Sequence, residues 1–191
     1  EQLAAIKRRY GFHDLTHPRR AELAKWLAIE ALGLTDGKVL IERLITRMRE
    51  QRIIIPGVSV IERMAGEAMH AADACVTSDV HALIDDEQRS ALEALLIEKT
   101  HAQQSRLSWL REPASRVGGR SLLEILDRID LVRSTKYAEV TVPDEYLPRL
   151  ALMAREGARH TAQALQQMGP ARRLTTLVAT LRELEATLSD A

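Results

Sequence analysis

Residues 49–63, REQRIIIPGVSVIER, close one amphipathic segment in basic residues, run through a bare Ile-Ile-Ile-Pro and open another segment at once. Ahead of the hinge, residues 38–52 place Leu40, Ile41, Leu44, Ile45 and Met48 on one side of a helical wheel, the pattern of a helix with one buried face. Behind it, residues 59–75 gather Val60, Ile61, Met64, Ala68 and Ala71 in the same way and leave Arg63, Gly66, Glu67 and His70 outside. Ser59-Val60-Ile61-Glu62 has the spacing of a capping box, in which the serine oxygen and the glutamate side chain satisfy amides that a helix start leaves unpaired. The stretch therefore reads as helix, hinge, helix, with arginines at the joint.

Working outward, the same periodicity predicts helices at 2–10, 18–33, 38–52, 59–75, 86–97, 105–111, 120–134, 143–155, 158–168 and 171–188. Asp85 to Gln88 and Ser121 to Glu124 repeat the capping-box spacing, and Pro18, Pro143 and Pro170 stand where a helix's first turn has no amide partner to lose. Ile53–Ile55 and Val140–Val142 are strand-like but too short to build a sheet. A composition of 46% hydrophobic and only 3% aromatic residues suits packed helices rather than sheets. The expected fold is all-α, a multi-helix orthogonal bundle with helix-turn-helix-like units. Turn formers at Thr77-Ser78-Asp79 and at 112–120 predict three parts: 1–76, 77–135 and 136–191. The last of these alternates apolar and charged faces as an antiparallel helix pair would.

The longest apolar runs fall far short of the roughly 20 residues that a membrane span requires, and no leader opens the chain, so a cytosolic location without membrane contact is expected. The single cysteine, Cys75, predicts no disulfide and is expected as core filler. His13 and His17 are four apart but lack a third ligand nearby, and no paired carboxylates, phosphate-cradling glycine loop or nucleophile elbow is signalled. No catalytic residue, metal or cofactor is expected in the chain. Net charge is zero, yet residues 1–70 carry 12 basic and 9 acidic side chains, 71–100 carry 2 and 7, and 101–191 carry 13 and 11. The basic excess lies at the two ends and the acidic one between them.

Four cations, Lys38 and Arg49 on one flank and Arg43 and Arg47 on the other, border the exposed face of helix 38–52. Leu34-Thr35-Asp36-Gly37 joins that helix to the one before it, giving the helix, turn, helix shape that can read a DNA groove. Ser59, at an electropositive helix start, could hold a phosphate, with Arg63 one turn further in. Lys7, Arg8 and Arg9, beside Tyr10 and Phe12, form a second basic cluster, and Arg52 stands at the hinge. The bland alternative is that these cations lie over the edge of the core and pair with neighbouring carboxylates.

The runs KRRYGF (7–12), AELAKWLAIEAL (21–32), REQRIIIPGVSVIERMAGEA (49–68), SRLSWLREP (105–113), REGARHTAQAL (155–165) and ELEATLSDA (183–191), taken in order, resemble the N-terminal half of the Tn-3 family of replicative transposases. They span the whole chain, and only STKYAEVT at 134–141 departs from the family pattern. The resemblance implies helical domains that bind double-stranded DNA at the terminal inverted repeats of a transposon. It also implies a separate RNase H-like catalytic domain with an Asp-Asp-Glu site for divalent metal. The chain, opening without Met, is expected to be a piece that lacks the family's first N-terminal segment and stops before that domain. On this resemblance Lys7, Arg8, Arg9, Lys38, Arg43, Arg47, Arg49, Arg52, Ser59 and Arg63 are the candidate DNA contacts. Self-association is expected of the full-length enzyme, in a bacterial cytoplasm and on the nucleoid when bound. The alternative is a dimerisation or scaffold segment of the same transposase that touches no DNA.

Overall fold

A computed structural model describes residues 2–112 and 119–189, with the side chains at 2, 3, 6, 119–121 and 189 left aside. Ten α-helices and two short 3-10 turns make up the described residues, with no strand or sheet among them. The fold is all-α. Contacts divide it into two compact units, residues 1–75 and 76–191.

In the first unit, which also holds α1 (Gln2–Tyr10), the helices α2 (His17–Leu32), α3 (Gly37–Glu50) and the first part of α4 (Val58–Leu83) surround one apolar cluster. Leu23 and Leu27 of α2, Leu40, Leu44 and Met48 of α3, and Ile61, Met64 and Ala65 of α4 are buried in it at the 3.6-residue period that the sequence shows. Asp36 starts α3 by accepting the Lys38 amide at 2.8 Å.

Helix α4 departs from expectation in four ways. It runs 26 residues, so Thr77-Ser78-Asp79 lies inside it rather than in a loop. It begins at Val58, and the Gly57 carbonyl accepts from the Val60 and Ile61 amides, so Ser59 is an exposed first-turn residue and not the cap. Ala71 is exposed, while Ala65 and Ala72 take the buried places. Cys75 is exposed instead of filling the core.

The second unit takes in the end of α4, α5 (Asp86–Ile97), α6 (Arg106–Arg111), α7 (Gly119–Ser134), α8 (Leu147–Gly157), α9 (Ala162–Gln166) and α10 (Pro170–Ser189). Helix α10 is buried continuously from Leu174 to Leu181 because α5, α7 and α8 all pack on it. A helix apolar on every side occupies such a place, and three threonines on α10 satisfy its conditions through backbone carbonyls. Thr175 donates to Thr77 O at 3.2 Å, Thr176 to Arg172 O at 2.7 Å and Thr180 to Thr176 O at 2.8 Å. The two parts expected at 77–135 and 136–191 thus share one core.

The helix expected at 143–155 arrives as a 3-10 turn, Asp144–Tyr146, followed by α8, and that expected at 158–168 shortens to α9 behind a Thr161 cap. Val140–Val142 forms no strand. Most of the loop at 112–120 and the Ser121 side chain lie outside the described residues.

Candidate nucleic-acid interface

Helices α1 and α3 stop in the same way. After α1 the chain turns left-handed at Gly11, φ 67°, and the Phe12 amide donates back to Lys7 O at 3.0 Å. After α3 the left-handed residue is Arg52, φ 53°; its amide donates to Arg49 O at 3.0 Å and the Ile53 amide to Met48 O at 2.8 Å. These are Schellman ends, which satisfy carbonyls that a helix terminus otherwise leaves unpaired. Ile53 and Met48 sit in the same buried cluster, the apolar contact that accompanies such an end.

The residues beyond the two ends then pair with each other. His13 donates its amide to Arg52 O at 2.8 Å and accepts from the Ile54 amide at 2.9 Å, a single parallel bridge between His13 and Ile53. The strand-like character of the isoleucine run goes into this one bridge. Its consequence is that KRRYGF and REQRIII, far apart in the chain, occupy one corner of the first unit.

The candidate residues divide by what each side chain meets. Lys7 is tied to Asp14 at 2.5 Å, and the Arg9 guanidinium lies over the Tyr10 ring, 5.7 Å from its centroid. Arg8, Lys38, Arg49 and Arg52 are exposed, and among the described residues they meet no carboxylate within 4.0 Å. Tyr10 and Phe12 are exposed beside them.

Arg43 and Arg47 turn toward α2 instead. Arg43 pairs with Glu30, and Arg47 lies over the Trp26 ring at 5.6 Å with Glu50 3.8 Å away. Both line a groove between α2 and α3 with Trp26, Val39 and Thr46. Theirs are the positions that the solvated-face alternative describes. On α4, Arg63 stands 3.9 Å from Glu67, which is 3.6 Å from Arg20 of α2. Exposed pairs this long contribute about 0–1 kcal/mol, so Arg63 is only loosely held. Trp26, Glu30 and Arg20 carry no local signal: Glu30 and Arg43 are 13 residues apart, and only the packing of α2 on α3 joins them.

A structural reason for the basic corner exists without any ligand. Lys7, Arg8 and Arg9 fill the last turn of α1, and Arg47 and Arg49 that of α3. Cations there offset the partial negative charge of a helix C-terminus. Two such ends side by side need more of them, yet that need does not explain why Arg8, Arg49 and Arg52 remain unpaired and outward.

Several arginines of the second unit are ties within the fold, whereas Arg155 and Arg159 are exposed. Arg128, buried, pairs with Glu124 at 2.6 Å, donates to Glu112 O and lies over the Trp109 ring at 5.3 Å. Arg173 meets Glu93 at 2.5 Å and donates to the carbonyls of Gln166 and Met168, both at 3.1 Å. Arg111 donates to His160 O at 2.8 Å and Gly157 O at 3.1 Å, and burial lowers its pKa. Among the described residues no three His, Cys, Asp or Glu side chains converge to hold a metal ion, and no helix is long and apolar enough to cross a membrane.

Fold and site together define an all-helical segment whose first unit presents a basic corner. Residues 1–68, within that unit, match the family described as a domain of unknown function, DUF4158. Along its whole length the chain is similar to transposases. It is 29% identical over 191 residues to the transposase for transposon Tn2501 of Escherichia coli and 28% over 190 residues to that for Tn21 of the same species. It is 30% identical over 200 residues, 95% of the chain, to the transposase for transposon Tn501 of Pseudomonas aeruginosa. The chain spans about a fifth of the length of these relatives, 19%, 19% and 20% in turn. It is homologous to a segment of the Tn-3 family transposases, as its motifs indicate.

Proposed function

We propose that the chain is the part of a transposase that binds double-stranded DNA at the terminal inverted repeats of its transposon. The observation that supports this is the bridged pair of helix ends, which sets Arg8, Arg49 and Arg52 outward and unpaired beside Arg9, Tyr10 and Phe12. Unpaired guanidiniums on one exposed corner suit a phosphate backbone, and neighbouring polar and aromatic groups can add contacts to sugars or bases. The pair α2 and α3, joined by residues 33–36, serves as the helix-turn-helix-like unit. Lys38 at the start of α3 and Ser59 and Arg63 on α4 extend the surface.

Strand cutting belongs to the remainder of the parent enzyme, at a metal-dependent Asp-Asp-Glu site, and that enzyme self-associates and acts on the bacterial nucleoid in the cytoplasm. Among the described residues no three His, Cys, Asp or Glu side chains gather to hold such a metal.

Titration of the 191-residue chain against a labelled inverted-repeat duplex and a scrambled duplex tests the proposal. Tighter binding to the repeat is expected. Alanine at Arg8 and Arg49 should weaken both duplexes alike and reduce the salt slope by about 1 per phosphate contact removed. Equal, weak binding to both duplexes, unaffected by the alanines, would favour the scaffold role. No nicking of either duplex by this chain is expected in the presence of Mg²⁺.

A further inference from the structure

The two Schellman ends form a comparison within one molecule. Gly11 and Arg52 are the left-handed residues of the two ends, with φ 67° and 53°, and the bridge residues His13 and Ile53 lie two and one positions beyond them. The first end uses glycine, the residue that adopts this conformation without a steric cost. The second uses arginine, whose Cβ is crowded there. An L residue in a left-handed position, as Gln103 and Lys136 also are, motivates the question of what its side chain does.

The two positions also touch. A Cβ on Gly11 would stand 3.1 Å from Arg52 Nη1 and 3.8 Å from its Cδ, so the bare glycine leaves the space along which the arginine lies. The side chain lies along that space, exposed and without a carboxylate partner among the described residues. The planar fork of a guanidinium loses less freedom per hydrogen bond when a ligand arrives. The ligand must be an anion able to compete at two helix C-termini, whose dipoles repel negative charge. Lys7 O at one end and Met48 O and Arg49 O at the other are already bonded, and both last turns are basic, so a phosphate meets cations there.

Resting on the DNA-binding role proposed above, we infer that the end of α1 and the hinge after α3 act as one phosphate-binding surface. Arg52, laid against Gly11, is its affinity-determining contact. The left-handed conformation is then a folding cost retained for binding.

Arg52→Gly and Arg52→Lys in the 191-residue chain test this. Glycine removes the crowding and the guanidinium together, so Arg52→Gly should raise the melting temperature by about 2–4 °C while weakening inverted-repeat DNA about tenfold. Its salt slope should fall by about 1. Lysine keeps the charge and the backbone cost but not the planar fork, and should melt like the wild type with an intermediate loss of affinity. Unchanged affinity in Arg52→Gly, or a lower melting temperature showing that the side chain mainly supports the fold, overturns the inference. In either case a wild type that still prefers the repeat leaves the DNA-binding role standing. A wild type that ignores DNA removes both.

Discussion

Asp85 accepts the Gln88 amide at 2.7 Å while its own amide donates to the Gln88 side chain at 3.0 Å, so one pair of side chains satisfies two donors at the start of α5. Asp85→Ala should therefore lower stability by about 1 kcal/mol, read from denaturant unfolding. Ser59→Ala should change it by a few tenths at most, since the hydroxyl lies past the first helical residue and caps nothing. The two sites share a four-residue pattern and differ in what precedes it. Gly57, free of a side chain, can itself flank the helix start and moves that start ahead of Ser59. At this scale the sequence picks out basic residues by type, but could not tell Arg43, which finds Glu30, from Arg49, which finds no carboxylate among the described residues. Ion pairs between helices depend on a crossing that local spacing does not encode.

Among the elements, α8 and α10 approach each other closely in the second unit. A Cβ on Gly157 would come within 2.6 Å of Thr176 Cγ2 and 3.1 Å of Thr180 Oγ1, so the last turn of α8 rests directly on α10. Gly157→Ala should cost about 1–3 kcal/mol through overpacking, although in an isolated helix alanine is the better residue. Thermal unfolding of the variant would check the sign, and a stabilised Gly157→Ala would mean that α10 shifts to make room. Most helices were legible because each buries one face at a constant period. The shortest was not: α9 has 5 residues, and its place follows from a Thr161 cap and from packing on α5 rather than from a pattern of its own.

Taken as a whole, the molecule's pH response should come from the second unit. The Glu185 carboxylate accepts from Tyr137 Oη and from Arg133 Nε at 3.2 Å, and is held below the ordinary carboxylate range, chiefly by the tyrosine hydrogen bond. Burial, with that same carboxylate, pushes the Tyr137 phenol up. A depressed acid contributes stability that is complete above its unfolded pKa, about 4.3, and is lost as pH falls through the lower folded value. The melting temperature should accordingly drop below about pH 4, and the gap between wild type and Tyr137→Phe should narrow over the same range. A constant gap between them down to pH 2 would contradict the assignment. The reading of residues 77–79 as a linker failed for a reason that belongs to this scale. Small polar residues there lie on the solvent side of a long helix, while Val76 and Val80 are buried and Thr77 O receives Thr175. Because the division at 75 and 76 falls within α4, dissecting the chain into stable fragments cannot follow the contact boundary. A cut after Cys75 would leave a frayed helix end with four unbonded carbonyls, and a cut after Leu83 would strip the cover from Val76 and Val80. Either excised piece would need a repaired surface before it could be studied by itself.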